Sequence, residues 1–260
     1  PRAGETQDEG AAREVGGRHH GGVRVAALFD VHGNLPALEA VLAEPDVIAA
    51  DLVLCGGDTV AGPFPAECLE LLDALGDRLV EVHGNGERMV VAREGEDAAW
   101  CADRLSEEQL ERIAGLPPVA EVDVAGLGRV LLCHGTPRSD TEIVTLVTPD
   151  ERLAGILEGV EADVVLAGHT HSQMDRAVGG IRWVNGGSVG MPYEHEPGAR
   201  WALLGPDVAL RRTEYDLEAA AESIRGSGMP DADMYADEYV LARHSPDETA
   251  PYFEGLVDAT

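Results

Sequence analysis

Short apolar runs alternate with amphipathic segments in the first third of the chain. Residues 25–29 are continuously apolar, which predicts a strand buried on both faces. Apolar residues then recur at helical spacing over residues 35–43, and the predicted helix ends before Pro45. The alternation continues with a strand, a helix and a strand at residues 52–55, 65–75 and 79–82. This order predicts parallel strands joined by right-handed helical crossovers.

The remaining chain changes from a helical to a hairpin pattern. Residues 87–118 are predicted to be helical, with a capping box from Ser106 to Gln109. The apolar period then becomes two, which predicts a hairpin of residues 119–124 and 129–133. The later predicted elements are a helix opening at 148–151, a strand at 164–166, hairpin turns at 179–180 and 205–207, and a helix at 216–225. Two sheets packed face to face, with helices outside, accommodate all of these elements.

The length of the chain and its terminal compositions set the expected domain organisation. The 260 residues are enough for one large domain or two small ones with a well-buried core. No stretch reaches the roughly 20 apolar residues of a membrane helix, which predicts a soluble protein without a membrane partner. Residues 1–22 lack an apolar signal-peptide region and are predicted to be a disordered tail. The main domain is expected over residues 23–215, and a helix with an acidic tail of no clear period over residues 216–260.

The formal net charge is −29, and all 19 basic residues are arginine. A solvated acidic surface accounts for such a charge, and accumulation of cations near an acidic cleft is the functional alternative. Extended nucleic-acid binding needs a basic stripe and is not expected. The four cysteines have no C-x-x-C spacing, and Cys55 and Cys133 lie in predicted strands, where reduced core thiols are expected. This use of cysteine favours the reducing cytoplasm.

Polar residues that can bind metal ions follow the predicted strands. At the end of the first strand, Gly33 lets the backbone turn and Asn34 can cap the next helix. The candidate metal ligands at the strand ends are Asp30, His32, Asp58, Asn85, His134, His169 and His171. The carboxyl ends of strands are where open α/β sheets bind ligands. Seven such side chains can hold two divalent ions if one carboxylate bridges them, and a pair of ions activates water for attack on phosphorus.

The donor chemistry limits the identity of the two metal ions without settling it. Carboxylate and imidazole ligands suit manganese, iron, zinc and nickel about equally well, and we expect manganese first. A single buried histidine in a strand is more often a core residue than a ligand. The hypothesis of a metal centre therefore depends on the whole set of strand-end residues.

The order of these residues resembles the calcineurin-like metallophosphoesterase superfamily. That family has the motifs D-x-H, G-D, G-N-H-[DE], H and G-H-x-H, in that order. Here the motifs read Asp30-Val-His32, Gly57-Asp58, Gly84-Asn85-Gly86-Glu87, His134 and Gly168-His169-Thr170-His171. The runs at residues 32–39 and 185–190 are similar to those of small bacterial and archaeal phosphodiesterases. The resemblance extends from residue 23 to about residue 215.

This resemblance implies both a fold and an assignment of the ligands. The fold implied is a four-layer α/β/β/α sandwich of two mixed sheets flanked by helices, in agreement with the two-sheet interpretation. One metal ion is implied on Asp30, His32 and His171. A second ion is implied on Asn85, His134 and His169, with Asp58 bridging the two ions.

The third motif departs from the family at Gly86. The family has a histidine at this position, where it stabilises or protonates the leaving oxygen. Glycine can do neither, and loss of a general acid typically costs on the order of 10²–10⁴-fold in rate. His83 and His195 are candidate replacements, although a strand-end histidine that makes one hydrogen bond is the simpler interpretation of His83. Arg138 is either a candidate for binding a substrate phosphate or a surface arginine.

The sequence therefore predicts a cytoplasmic metal-dependent phosphoesterase that acts preferentially on a phosphodiester. The expected substrate is a small phosphorylated molecule, with nucleotides included in that class. A phosphomonoesterase or a nucleotide-pyrophosphate hydrolase on the same site is the alternative enzyme. The alternative outside enzymes is a scaffold that kept the fold and binds partners. Scaffolds typically lose metal ligands, whereas all seven are present here.

Overall fold

Two β-sheets face each other in the computed structural model, which describes residues 23–257 and the short strand Arg13–Glu14. Apart from that strand, the predicted disordered tail over residues 1–22 lies outside the described residues. The strands are β1 (Arg13–Glu14), β2 (Val25–Leu28), β3 (Leu52–Cys55), β4 (Leu79–Glu81), β5 (Val119–Val124), β6 (Gly128–Cys133), β7 (Val164–Ala167), β8 (Met174–Val178), β9 (Ile181–Asn185), β10 (Ala199–Leu204) and β11 (Val208–Thr213).

The first sheet has the strand order β11-β10-β2-β3-β4, and the second sheet has the order β1-β5-β6-β7-β9-β8. Parallel pairing of β2 with β3 and of β3 with β4 confirms the predicted crossovers. The predicted hairpins are β5 with β6, β8 with β9, and β10 with β11. In the second sheet β7 runs parallel to both β6 and β9. Each sheet combines parallel and antiparallel pairs, so both sheets are mixed.

The helices of the described chain are α1 (Leu35–Leu42), α2 (Pro45–Ile48), α3 (Pro65–Asp73), α4 (Asn85–Ala92), α5 (Gly95–Ala102), α6 (Glu107–Ala114), α7 (Asp150–Ile156), α8 (Leu217–Arg225), α9 (Ala232–Tyr235) and α10 (Pro246–Val257). The predicted helical stretch 87–118 divides into several helices, because Arg93 ends α4 in a left-handed conformation (φ 56°). Pro45 is the first residue of α2, a position where a backbone N–H would have no partner within the helix, so the N–H that proline lacks is not missed. None of these helices is long and apolar enough to cross a membrane.

Strand β2 shows why four layers form. Val25 and Ala27 point into the core between the two sheets, which also contains side chains of β6 and β7. Ala26 and Leu28, on the opposite face, pack against α1 and α3. The outer face of the second sheet packs against α7 in the same way. Apolar side chains on both faces of each sheet thus produce the predicted α/β/β/α sandwich.

The chain after Arg225 is helical where the sequence predicts an acidic tail without a clear period. Helix α9 continues into a π-helical segment, Ala236–Leu241, and α10 follows after a short connection. Tyr235 and Val240 are buried against α8. The π-helical segment and Pro251 inside α10 interrupt the 3.6-residue period, so a single helical pattern cannot be found in the sequence.

Candidate metal centre

The candidate ligands lie at one edge of the sandwich, on the segments that directly follow five of the strands. Asp30, His32, Asp58, His169 and His171 all have left-handed backbone conformations, with φ between 48° and 67°. This conformation is uncommon and strained for residues other than glycine. Strained residues persist where surrounding contacts fix them, and they cluster at functional sites. These left-handed conformations therefore occur at the same edge of the sandwich where the pattern of candidate ligands predicts the site.

Hydrogen bonds hold the loop after β2 against its neighbours. His32 donates its backbone N–H to the carbonyl of Asp58 at 2.8 Å, and Gly190 donates its N–H to the carbonyl of Asp30 at 3.0 Å. Asn34 caps α1 as predicted, since its Oδ1 accepts a backbone N–H of that helix. The loops that carry the ligands after β2 and β3 therefore form one hydrogen-bonded unit with the 185–190 run.

The first group of ligands consists of Asp30, His32 and His171. Nε2 of His171 lies 3.5 Å from Oδ1 of Asp30 and 3.1 Å from Nε2 of His32. One donor atom from each of the three side chains falls within 4.8 Å of the other two. Three donors that converge at this spacing, two of them imidazoles, can hold a single divalent ion.

The second group consists of Asp58, Asn85, His134 and His169. Nε2 of His134 lies 3.4 Å from Oδ2 of Asp58, and the Asn85 amide is 3.2 Å from the same nitrogen and 3.1 Å from Nδ1 of His169. With its nitrogen toward the rings, the amide donates a hydrogen bond to Nδ1 of His169, and also to Nε2 of His134 when that nitrogen carries no proton. With its oxygen toward the rings, it offers a further metal donor. Asn85 can thus serve the site with or without an ion.

The two groups adjoin through their carboxylates. Oδ2 of Asp58 lies 3.4 Å from Nε2 of His134 and also 3.8 Å from Nε2 of His32. Oδ1 of Asp30 lies 3.9 Å from Nε2 of His134. Asp58 therefore stands between a donor of the first group and a donor of the second group, which is the position that a bridging ligand needs.

Backbone carbonyls orient three of the imidazole rings. Nδ1 of His134 lies 2.8 Å from the carbonyl of Gly56, and Nδ1 of His171 lies 2.8 Å from the carbonyl of Met191. Nδ1 of His32 faces another carbonyl at 3.3 Å. Such a bond fixes the proton on Nδ1 and leaves Nε2 as the ligand atom. The rings are therefore held in the tautomer that metal binding requires.

The chemistry of the donor set fits divalent cations. Oδ1 of Asp30 is buried and has no hydrogen-bond partner among the described residues. An unpaired buried carboxylate oxygen is costly unless a cation compensates it. Because this oxygen faces the imidazole nitrogens of His171 and His134, an ion placed among these donors would satisfy it.

Burial and charge together set the protonation states of the site. Burial raises the pKa of Asp58, but the charge of His134 outweighs it and holds that pKa well below its usual range. Burial lowers the pKa of His134, but Asp58 more than reverses this effect and brings it to about 10. Burial and the neighbouring His134 lower the pKa of His169 to about 4. The metal-free site therefore carries a proton on His134, which a cation would replace.

Gly86, which replaces the family's histidine, contacts Asp58 directly. Its backbone N–H donates to Oδ1 of Asp58 at 2.5 Å. A Cβ atom at this position would lie 2.7 Å from the same oxygen, closer than real Cβ atoms come. A side chain at residue 86 thus requires that Asp58 or the first turn of α4 shifts.

The three other sequence-predicted residues face carboxylates that belong to neither group. Nδ1 of His83 is 3.8 Å from Oδ2 of Asp140, while His195 has 64% of its side chain exposed and faces Asp247 at 3.6 Å. Arg138 is exposed and binds both carboxylate oxygens of Glu142, at 2.8 and 2.5 Å. The guanidinium of Arg138 is therefore engaged by a neighbouring carboxylate. Catalytic roles for His83 and His195 and a phosphate-binding role for Arg138 stay predictions.

Glu87 is a supporting residue whose role the sequence pattern does not reveal. Its buried carboxylate accepts the backbone N–H groups of Asp58 and Gly84 at 2.8 Å and that of Thr59 at 2.7 Å. It therefore fastens the loop after β3 to the loop after β4. The acidic residue at the end of the third motif is the signal for this role, but the role itself becomes visible only when β3 and β4 are known to be neighbours.

Comparison with known proteins agrees with this geometry. Residues 23–205 match the Calcineurin-like phosphoesterase superfamily domain. An uncharacterized protein of Methanocaldococcus jannaschii is 26% identical over 237 residues, which make up 80% of this chain and 94% of that protein. The crystal structure of a metallophosphoesterase from Sphaerobacter thermophilus is 26% identical, with a TM-score of 0.68 over 84% of this chain and 100% of that chain.

A second solved structure shares the fold. A hypothetical protein from Pyrococcus horikoshii has a TM-score of 0.73 at 20% identity, over 85% of this chain and 99% of that chain. The chain belongs to the calcineurin-like phosphoesterase superfamily, as the order of its motifs predicts. Its two groups of aspartate and histidine residues are candidate metal sites of the kind expected for a dinuclear centre.

Proposed function

We propose that this protein is a phosphoesterase that uses two divalent metal ions and prefers phosphodiesters. The first group of ligands holds one ion, the second group holds the other, and Asp58 serves both. The observation that carries the proposal is the position of Oδ2 of Asp58, 3.8 Å from Nε2 of His32 and 3.4 Å from Nε2 of His134. One carboxylate oxygen thus faces a donor atom of each group.

The residues of the chain prepare the site for its ions. Two divalent ions bound together supply an activated water and neutralise charge on the phosphoryl oxygens. Against the effect of burial, His171 and His134 hold the pKa of Asp30 below its usual value, so this carboxylate is ionised at neutral pH. His169, with a pKa of about 4 because of burial and His134, is neutral there. His134 is the residue that releases a proton when the site is loaded.

The proposed reaction is fastest for esters with a good leaving group. A histidine side chain at residue 86 could give a proton to the leaving oxygen, and Gly86 has no side chain to do so. Its backbone N–H is also occupied, because it donates to Oδ1 of Asp58. Loss of a general acid lowers the rate on the order of 10²–10⁴-fold. Substrates whose leaving oxygen needs no proton are not slowed in this way.

The charge of the site supports a diester over a monoester. Two divalent ions outweigh the charges of Asp30 and Asp58, so the loaded site is net positive, with that charge on the ions themselves. The guanidinium of Arg88, one turn beyond Asn85, is already paired with both carboxylate oxygens of Asp140. A phosphodiester carries one negative charge, whereas a phosphomonoester carries about 1.5 to 2 at neutral pH. The second charge of a monoester therefore finds no free Arg88 guanidinium to pair with, whereas the single charge of a diester needs only the ions.

The proposal also covers the ion, the substrate class and the compartment. Mn²⁺ is the proposed working ion, since carboxylate, amide oxygen and imidazole donors are compatible with it. The proposed substrate is a small phosphorylated molecule such as a nucleotide. The four cysteines are free and buried, in agreement with a reducing, cytoplasmic location.

The test is hydrolysis of an aryl phosphodiester and of the matching aryl phosphomonoester by metal-stripped protein reloaded with Mn²⁺. Asp58→Asn removes the shared carboxylate charge, and Asp77→Asn, at an exposed position, is the matched control. We expect metal-dependent cleavage with a higher kcat/KM for the diester, retained in Asp77→Asn and lost in Asp58→Asn.

Two outcomes would contradict the proposal in different ways. A higher kcat/KM for the monoester would favour a phosphomonoesterase on the same site. Absence of turnover with Mn²⁺, Fe²⁺, Zn²⁺ and Ni²⁺, despite bound ions, would indicate that the chain cannot catalyse the reaction without a histidine at residue 86. It would favour a scaffold that binds partners.

A further inference from the structure

The C-terminal segment, residues 214–257, is anchored on both sides of the ligand edge. Helix α8 and the π-helical segment pack with Phe64, which precedes α3 in the helix layer of the first sheet. At the other end, Glu254 of α10 accepts a hydrogen bond from Oγ1 of Thr148 at 2.8 Å and pairs with Arg152 of α7. Since α7 belongs to the helix layer of the second sheet, the segment joins the two outer layers.

One residue of this segment holds the backbone of a candidate ligand. The hydroxyl of Tyr235 donates a hydrogen bond of 2.7 Å to the carbonyl oxygen of His32, across 203 positions of sequence. His32 is one of the residues in the strained left-handed conformation, with φ 48°. Such a conformation needs external restraints. Tyr235, 3% exposed, supplies one of them from α9.

A second chain of contacts reaches His171. Its ring stacks on Tyr193, with centroids 4.9 Å apart and planes 27° apart. The ring of Tyr193 contacts Phe253 of α10 at 5.8 Å and the edge of His244 at 5.9 Å. Met191, whose carbonyl orients Nδ1 of His171, packs against the buried cluster of α8 and α9. The C-terminal segment therefore supports two of the three ligands in the first group.

The second group has a different set of supports. The carbonyl of Gly56 orients His134, Gly86 and Glu87 hold the loop of Asp58, and the Asn85 amide lies 3.2 Å from the carbonyl of Asp140. These supports all come from the loops after β3, β4 and β6. The two groups thus differ in what holds them in place.

We propose that the C-terminal segment is the positioning element of the first group and sets how tightly that group holds its ion. The segment lies outside residues 23–205, so the motifs shared with the superfamily do not include it. The part that concerns the ion rests on the proposed function. The part that concerns the His32 loop does not, because the hydrogen bond from Tyr235 is made within the chain itself.

The test compares Tyr235→Phe with Tyr239→Phe in the full chain. Tyr239 packs edge-on against Tyr235, with ring centroids 5.5 Å apart, so its substitution removes a hydroxyl from the same segment and leaves the bond to His32 in place. Both variants keep an aromatic ring, and circular dichroism checks that both fold.

The first measurement is amide hydrogen exchange in the metal-free variants. The amides of His32 and Gly33 donate to the carbonyls of Asp58 and Thr59, and they report opening of the ligand loop. We expect Tyr235→Phe to speed their exchange about 2- to 10-fold, the factor that one hydrogen bond contributes. In Tyr239→Phe, the same two amides should exchange at the wild-type rate.

The second measurement is calorimetric titration with Mn²⁺. Tyr235→Phe should weaken the binding of one of the two ions by about 2- to 10-fold, the factor expected for the opening of its loop, and leave the binding of the other unchanged. Wild-type exchange rates in Tyr235→Phe, or equal weakening of both ions, would overturn the positioning proposal. A wild-type chain that binds no ion would instead refute the proposed function, and the exchange rates would still decide whether Tyr235 positions the loop.

Discussion

The backbone N–H of Gly86 donates a hydrogen bond of 2.5 Å to Oδ1 of Asp58. This bond ties the first turn of α4 to the carboxylate that stands between the two groups of ligands. A Cβ atom at residue 86 would lie 2.7 Å from the same oxygen. Residue 86 therefore affects Asp58 through its backbone as well as through the side chain it lacks.

Gly86→His is expected to impair the site. The added Cβ displaces Asp58 or the first turn of α4, so metal affinity should fall about 10- to 100-fold and kcat/KM should fall with it. The matched control is Gly155→His on the exposed face of α7, where an added Cβ meets nothing within 4 Å. A gain in turnover at unchanged metal affinity would show that residue 86 can accept the family's histidine in place.

Glu87→Gln is expected to loosen the loop that carries Asp58. Backbone N–H groups of residues 58, 59 and 84 all donate to the buried carboxylate, and an amide would turn its own N–H₂ toward some of these donors. Leaving a buried donor unsatisfied costs about 1–3 kcal/mol. Urea unfolding of metal-free protein measures the loss, with Glu67→Gln on the exposed side of α3 as the control. Equal stability of the two variants would contradict this role.

Metal affinity should increase with pH. Although burial works against it, Asp58 raises the pKa of His134 to about 10, so an ion must displace a proton at any lower pH. The affinity for the ion of the second group should therefore rise about tenfold per pH unit between pH 6.5 and 9. Titrations at several pH values check this slope, with His195→Asn as an exposed control. An affinity independent of pH would show that His134 is already neutral.

The stability of the metal-free chain should fall at both ends of the pH range. The pKa of His134 is raised above 6.5, so its contribution is fully present below pH 6.5 and is lost as the pH rises toward about 10. The pKa of Asp58 is lowered against the effect of burial, mainly by His134, so its contribution is present above pH 3.8 and is lost on acidification. Because the lowered pKa of His169, about 4, also costs stability as the pH falls below 6.5, thermal unfolding should give the highest Tm near pH 6.5, and a maximum above pH 8 would contradict the pairing.

The features that could be predicted from the sequence are those with a local cause. Continuous apolar runs such as residues 25–29 specify buried strands, and Asn34 specifies a helix cap. The ligand edge follows from the same logic, because parallel strands place their carboxyl ends together. The fold and the clustering of the candidate ligands could therefore be predicted from the sequence.

The features that could not be predicted depend on contacts between distant parts of the chain. The bond from Tyr235 to His32 joins positions 203 residues apart, and nothing near either residue signals it. The role of Glu87 requires the adjacency of β3 and β4. The C-terminal helices pack beside the site through residues such as Phe253, which contacts Tyr193, although their own pattern is interrupted by Pro251.

The central claim is that Asp58 joins two groups of ligands into one dinuclear centre. The most direct measurement is the number of Mn²⁺ ions bound per chain, by calorimetric titration of metal-stripped protein, in the wild type and in Asp58→Asn. The account predicts two ions in the wild type and weaker binding of both ions in the variant. One ion per chain, or loss of a single ion with the other unaffected in the variant, would contradict a shared carboxylate.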